Sequence, residues 1–506
     1  MDALLSERLL TAVVFLPAAG ALLLMLFPAS QPKAIKGFAL AVSLANFAVS
    51  VPLWLRLDPG HPGFQFVERA EWIPALGVRY AVGIDGISLV LVLLTTILTP
   101  VALLFSLTHV NDHVHGFSIA FLMLETGMLG SLVALDLLLF YVFWEVMLVP
   151  MYFIIGIWGG SRRIYAAMKF FLFTMAGSVL MFLAILYLAA RHRAVTGEWS
   201  FLLSDLAALR LPAGAETLLF AAFAVAFAIK VPVFPLHTWL PDAHTEAPTA
   251  GSIILAGVLL KLGVYGYLRF ALPLFPGAAM RYAPWVGVLG VTGIVYGALV
   301  AYAQKDMKRL VAYSSVSHLG LVVVGIAAFT PPALSGAVLQ LVNHGLSTGA
   351  LFLLVGVLYE RRHTREIEAY GGIAGVVPIT ATLFLVATLS SIGMPGLNGF
   401  PGEFLILLGT WSGPVRWWAI AAATGVILSA VYMLSLVQRV FWNPLTHEEN
   451  RKLPEIRPSE FIAASILVVL MVWIGVRPND VLSRVTPALE ALRSEVSARA
   501  AQGGAP

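Results

Sequence analysis

The sequence predicts an all-α integral membrane protein of about 14 transmembrane helices. Three observations carry that reading. Of its 506 residues, 59% are hydrophobic and only 11% are charged, where a soluble domain averages about 25% charged residues. Apolar runs near the ~20 residues that span a bilayer follow one another along almost the whole chain. The loops between them are short, so no soluble domain interrupts the series. Lipid offers no partner for a free backbone N–H or C=O, which makes each run a helix. The short alternating strands that a transmembrane β-barrel would need do not occur.

The runs lie near 9–27, 34–55, 84–107, 116–135, 137–158, 164–190, 216–240, 249–271, 284–303, 307–329, 333–359, 377–408, 414–442 and 459–476. The first is read as a spanning helix. Glu7 and Arg8 make no basic leader start, and no small-residue cleavage site follows Phe27. The longest loop, 56–83, carries Pro59, Gly60, Pro62, Gly63, Pro74 and Gly77 and reads as an extramembrane hairpin. Residues 480–500 are amphipathic, suited to the membrane surface or to a partner. The expected organisation is 1–115 (segments 1–3), 116–271 and 284–442 (two five-helix units, segments 4–8 and 9–13), then 459–506 (segment 14 and tail).

Lysine and arginine set the expected orientation. The loops after segments 1, 5, 9, 11 and 13 hold about 15 of the 31, among them Arg162, Arg163, Lys305, Lys308, Arg309, Arg361, Arg362 and Arg365. The opposite loops and the N-terminus hold about 10, and the C-terminal tail about 4. The richer side belongs in the cytoplasm, with both termini outside a bacterial inner membrane. The chain has no cysteine, so disulfides, iron–sulfur clusters and thiolate metal sites are excluded. No phosphate-binding loop appears and no two-histidine motif suits a metal or haem; the WLPDAH run (Trp239–His244) does not require one.

Two lysines lie where a charge is costly. Lys230 sits in FAVAFAIKVPVFPLHTWL and Lys261 in SIILAGVLLKLGVYGYL. A charge at mid-membrane costs roughly 2.5–3.5 kcal/mol on insertion scales. Glu125, Glu145 and Glu403 are acidic counterparts at depth, and His318 and His344 add imidazoles, the side chain whose ordinary pKa lies near neutrality. A single buried pair could be static packing. Seven such residues point to proton transfer, because buried pairs stabilise weakly. Lys261 has no carboxylate within helical reach: positions 257, 258, 264 and 265 are Gly, Val, Val and Tyr. Its partner must come from another helix.

Two segments are also interrupted. The seventh carries Pro232 and Pro235 just after Lys230; the twelfth carries Pro395, Gly396, Gly399, Pro401 and Gly402 just before Glu403. Breaks are expected near Pro232 and Pro401. Proline removes a backbone donor, and paired interruptions in matching places mark inverted repeats with a site at the breaks. The breaks lie five segments apart, an odd number that inverts topology between the copies.

These same stretches carry a family resemblance. AIKVPVFPLHTWLPDAHTEAPTAGSIILAGVLLKLGVYG (Ala228–Gly266), FWEVMLVPMYFIIGIWGG (Phe143–Gly160), KDMKRLVAYSSVSHLG (Lys305–Gly320) and the GFPGEF run resemble the antiporter-like membrane subunits of complex I, the proton-pumping NADH:quinone oxidoreductase. The FWEVMLVPMYF stretch, Glu403 where related branches usually carry lysine, and the short tail after segment 14 favour the M-type branch. The resemblance implies that Glu145 and Lys230 form a modulating ion pair. It implies that Lys261 is the central relay lysine, His318 and His344 linking groups and Glu403 the terminal exchange residue. Glu125, Lys305, Lys308, His237 and Asp242 are secondary candidates. No cofactor is expected in this chain; NADH, flavin, iron–sulfur clusters and quinone belong to partner subunits, the neighbouring antiporter-like ones foremost. Competing readings are a subunit of a multi-subunit sodium/proton antiporter and a structural scaffold without transport. A redox-active subunit is disfavoured by the missing cysteines and paired histidines.

Overall fold

The computed structural model describes residues 8–503. Its elements in chain order begin with α1 (Leu9–Leu24), α2 (Pro32–Arg56), the strands β1 (Gln65–Ile73) and β2 (Val78–Ile84), α3 (Gly86–His109), α4 (Val114–Val133), α5 (Leu137–Trp158) and α6 (Arg163–Thr196). Then come α7 (Ala213–Lys230), α8 (Trp239–Glu246), α9 (Thr249–Leu274), α10 (Pro276–Tyr302), α11 (Met307–Ala328) and α12 (Pro331–Arg362). The last are α13 (Pro378–Ser391), α14 (Gly399–Trp411), α15 (Trp417–Trp442), α16 (Pro458–Val476) and α17 (Asn479–Gly503). Among the described residues, 12 of these helices are long and apolar enough to cross a membrane, and α1 and α13 are shorter apolar helices.

Burial sorts the helices into two shells. The buried residues of α12 run without a gap from Ala333 to Leu358, and α9, α11 and α3 are nearly as enclosed. Outer helices such as α2, α6, α10 and α16 turn Leu44, Leu172, Trp285 and Val469 outward. Exposed side chains of this kind suit a hydrocarbon solvent, since a soluble protein rarely presents such a continuous apolar surface. α5 breaks its regular helix at Met147. Pro150 explains it: a proline clashes with the carbonyl four residues earlier, here that of Val146.

The loop 56–83 is an antiparallel hairpin closed by a 3₁₀ turn at Pro74–Leu76 and Gly77, whose φ is +65°. The sequence shows its turns clearly and its strands poorly, because β1 is mostly exposed and its apolar and polar residues do not alternate cleanly. The hairpin marks one end of the bundle. Glu68 accepts a hydrogen bond from Leu10 N at 2.8 Å, so the start of α1 lies there. α17 lies there too: a Cβ on Gly86 would meet the Arg484 carbonyl, and Arg499 donates to the carbonyls of Ala207 and Pro273 (2.7 Å). The tail expected on lipid or a partner therefore packs on its own chain, burying Val481, Val485, Leu489 and Val496. The apolar stripe of the amphipathic tail is α17's contact with the bundle.

Both interruptions are present, one of them displaced from its expected place. α7 ends at Lys230 and α8 starts at Trp239, which places Pro232 and Pro235 in the break. The second break spans Ile392–Asn398, not the neighbourhood of Pro401. Pro401 falls in the first turn of α14, where a missing N–H costs nothing. Pro395, Gly393 (φ +75°) and Gly396 (φ +91°) form the break itself. The charges are consequently not in equivalent positions. Lys230 ends the first half of its helix, whereas Glu403 lies in the second half of its own.

A candidate proton relay in the bundle core

Lys261 is buried in α9 between two π-helical turns, Leu255–Leu259 and Tyr267–Ala271. Such turns interrupt the usual hydrogen-bond ladder and often sit at functional sites. The Lys261 ammonium caps the carbonyl of Ala256, five residues back. Its second partner comes from another helix: Nζ lies 2.7 Å from Nδ1 of His344 on α12. The expectation of an inter-helix partner holds, and that partner is an imidazole instead of a carboxylate.

From His344 the series continues across α11 to α14. The rings of His344 and His318 lie 5.8 Å apart, centre to centre. His318 Nδ1 stands 3.5 Å from Glu403 Oε1, and its Nε2 is near the hydroxyls of Tyr432 (3.3 Å) and Ser391 (3.4 Å). Gln340 donates to the same Glu403 oxygen at 3.3 Å, and Asn343 donates to Gln340 at 3.2 Å. The break between α13 and α14 makes room for the carboxylate, because a Cβ on Gly393 would lie 2.4 Å from Glu403 Oε2. Lys261, His344, His318 and Glu403 are all buried. Together they form one line of titratable groups from α9 through α12 and α11 to α14.

Lys230 and Glu145 stand apart from this line. No ion pair joins them: Lys230 Nζ and Glu145 Oε1 are both buried without a hydrogen-bond partner. The ammonium instead faces the rings of Trp144 at 5.0 Å and Phe170 at 5.8 Å, a cation–π arrangement. The pair that the resemblance implies is thus separated in this conformation. Lys230 still abuts α9, since a Cβ on Gly263 would lie 3.0 Å from its Cβ. Gly263 is two residues from Lys261, so α7 and α9 pack closely between the two lysines.

The secondary candidates divide. Lys308 is buried and donates to the Ala247 carbonyl at the end of α8. It lines a polar cavity of about 320 Å³ that also touches His109, Glu246, Glu360 and Arg365 and opens between loops at the end opposite the hairpin. Lys305 is exposed in the loop before α11. Asp242 binds Lys169 at 2.7 Å and approaches Arg309 at 3.8 Å. His237 lies in the first break, its ring 5.2 Å from Tyr296, with neither nitrogen hydrogen-bonded. Glu125 lies on α4 and contacts Asn46 on α2, outside the line.

Several neighbours of the line lie outside the candidates named from the sequence. His244 is fully buried, stacks on Phe352 at 4.5 Å and has no partner on either nitrogen. Its place in the WLPDAH run beside a break was the available signal. Gln340, Asn343 and Ser347 flank His344 on one face of α12 at helical spacing, a polar stripe in an otherwise apolar helix. Tyr432 and Ser391 carried no signal, being ordinary polar residues on apolar helices until the fold brings them to His318.

The fold and this line define a class: a multi-pass membrane protein with a buried series of titratable side chains. The comparisons narrow it. Residues 134–430 match the family described as NADH:quinone oxidoreductase/Mrp antiporter, transmembrane, and the chain belongs to that family. It is 47% identical over 494 residues to NADH-quinone oxidoreductase subunit M of Rhodobacter capsulatus, covering 96% of each chain. It is 40% identical over 471 residues to NADH-ubiquinone oxidoreductase chain 4 of Marchantia polymorpha, covering 93% of this chain and 94% of that protein. A chain of respiratory complex I from Thermus thermophilus superposes with a TM-score of 0.87 at 35% identity, covering 96% of this chain and 99% of that one.

Proposed function

We propose that this chain is a proton-translocating membrane-arm subunit of NADH:quinone oxidoreductase, the counterpart of the bacterial M subunit. The observation that carries the reading is the buried series from Lys261 through His344 and His318 to Glu403. A static scaffold would gain little from it, since each buried ionisable group costs desolvation. The names of relatives at 40–47% identity over nearly their whole length support the assignment to this complex. Other subunits of it, especially adjoining antiporter-like ones, are the expected partners. NADH, flavin, iron–sulfur clusters and quinone are expected in those partners and not in this chain.

In this reading a proton enters from the Lys308 cavity, reaches Lys261, and passes by His344 and His318 to Glu403. Lys230 modulates the central step. When Glu145 closes on Lys230 it neutralises a charge beside α9, and when it withdraws that charge acts on Lys261. The effect is steep because charges in a low-dielectric interior interact strongly. Chemistry in the partner subunits would set the Glu145–Lys230 distance.

The same proposal fixes the topology. α1, the two-part helices α7/α8 and α13/α14 and the other long helices make 14 crossings, with 116–271 and 284–442 as inverted repeats. An even number fits the packing of α1 and α17 at the hairpin end. The hairpin end is periplasmic and the Lys308 end cytoplasmic, in a bacterial inner membrane.

The test is NADH-driven acidification of inverted vesicles carrying the whole complex. Acidification that needs no sodium and vanishes in Lys261→Ala, with assembly retained, is expected. Sodium-dependent transport without NADH would favour the antiporter reading, and normal pumping in that variant would favour a scaffold.

A further inference from the structure

α2 buries one stripe of residues: Ile35, Ala39, Ser43, Asn46, Ser50 and Leu53. The spacing is the four-and-three alternation of a helix packed along one seam. Half of the stripe is polar, although its neighbours α3 and α4 are apolar membrane helices. Ser43 satisfies itself on the Leu40 carbonyl, and Ser50 meets Thr96 of α3 at 2.9 Å. Asn46 meets Glu125 of α4: its amide nitrogen donates to Oε1 at 2.9 Å.

That bond leaves two orphans. Among the described residues, Asn46 Oδ1 and Glu125 Oε2 are both buried and both lack a hydrogen-bond partner. They are the second atoms of the two planar groups that the 2.9 Å bond already joins. With Glu125 ionised, both atoms are acceptors and neither can satisfy the other. Among the described residues, Asn46 is the one side chain that acts on Glu125, which is fully buried and has no cation beside it. An ionised carboxylate there would be unpaired in the membrane interior, at a cost of several kcal/mol.

We infer that Glu125 holds a proton, closing a two-bond acid–amide ring with Asn46 that makes a fixed proton-binding site outside the relay. The proton on Oε2 donates to Asn46 Oδ1 while Asn46 Nδ2 donates to Oε1. One proton satisfies both orphans, because a neutral carboxyl is a donor as well as an acceptor. Inter-helix polar bonds of this kind lock membrane helices where apolar packing alone is unspecific.

The lock has a place in the architecture. Two and five residues after Glu125, Gly127 and Gly130 bring α4 onto α5. A Cβ on Gly127 would lie 2.9 Å from Met147 N, and one on Gly130 would strike the Phe143 ring at 2.3 Å. α5 carries Glu145. The ring between Asn46 and Glu125 therefore fixes α4, the plate against which the Glu145 helix rests. Glu125 is a positioning residue in this arrangement.

Infrared difference spectroscopy on the whole purified complex tests it, in wild type and Glu125→Gln. Glutamine can form the same ring with Asn46, amide to amide, so the variant should assemble and pump as wild type. It should lose one protonated-carboxyl carbonyl band that is present across the neutral pH range, while Lys261→Ala keeps that band. Asn46→Leu, which strips the ring from Glu125, should shift the band or lower the yield of assembled complex. Absence of the band in wild type would mean an ionised Glu125 and overturn the inference. So would an assembled Glu125→Gln complex that no longer pumps, because Glu125 would then belong to the moving-proton line. Neither outcome depends on whether Lys261 is a relay.

Discussion

Lys261 Nζ lies 2.7 Å from His344 Nδ1, and among the described residues no carboxylate acts on Lys261. An ammonium can donate only to a bare nitrogen. While Lys261 is charged, His344 must be neutral with its proton on Nε2, an atom that is buried and otherwise unpartnered. Two positive charges at this distance exclude each other. The pair therefore shares one excess proton, and its transfer to Nδ1 frees the one on Nε2 toward His318. A group that must alternate between charged and neutral cannot be replaced by one that is always charged.

Lys261→Ala should consequently reduce NADH-driven proton pumping to background and slow coupled quinone turnover, with the complex assembled. Lys261→Arg should fail as well, because guanidinium does not release a proton near neutral pH. Pumping and turnover in reconstituted vesicles decide the matter. An arginine variant that pumps normally would show that position 261 needs only positive charge, and the relay role would have to be abandoned.

Much of this line was legible in the sequence for a simple physical reason. A lysine or glutamate in an apolar run violates the cost of burying charge, so Lys261, Lys230 and Glu403 stand out singly. What the violation does not encode is pairing. His344 lies 83 residues from Lys261, and nothing in either helix specifies that contact. Asn46 is a similar case, as an amide in an outer helix carries no visible penalty until Glu125 is found beside it. The second break was placed too late because proline looks alike in sequence whether it ends a helix or starts one. Pro401 starts α14, and Gly393 and Gly396, with positive φ, do the breaking.

Orientation can be tested without removing native thiols, since the chain has no cysteine. Arg163 begins α6 at the end opposite the hairpin, beside the Gly160–Glu246 contact. In Arg163→Cys, a membrane-impermeant thiol reagent should label inverted vesicles and leave intact cells unlabelled. Labelling of intact cells would reverse the assignment of both ends.

Glu455 gives a pH dependence outside the membrane. Its carboxylate caps the start of α13, accepting from Ile379 N at 2.8 Å and from Thr380 Oγ1 at 2.5 Å. Burial alone would raise its pKa. The hydrogen bonds from the Thr380 side chain and from the Ile456, Ile379 and Thr380 amides outweigh that and hold it below the usual carboxylate value. A depressed pKa contributes stability that is present above the unfolded value and lost as pH falls through the folded one. Glu455→Gln should therefore speed amide hydrogen exchange over the first turn of α13 at neutral pH. The difference from wild type should shrink as acid protonates Glu455. An effect that grows with acidity would remove the capping charge from the explanation.

The sharpest test of the terminal site leaves every titratable group in place. Gly393 has φ +75°, and a Cβ there would stand 2.4 Å from Glu403 Oε2. Alanine at 393 pays roughly 1–2 kcal/mol for a left-handed backbone and must also push the carboxylate off its place beside His318 and Gln340. Since 1.4 kcal/mol is about tenfold in an equilibrium, Gly393→Ala should slow pumping by about tenfold or more. The shorter side chain of Glu403→Asp withdraws from the new methyl group. Adding it to Gly393→Ala should therefore cost less than adding it to wild type, a coupling that a double-mutant cycle on pumping rate measures. Strict additivity would mean that Gly393 acts only on the backbone break and does not hold Glu403 in line with His318.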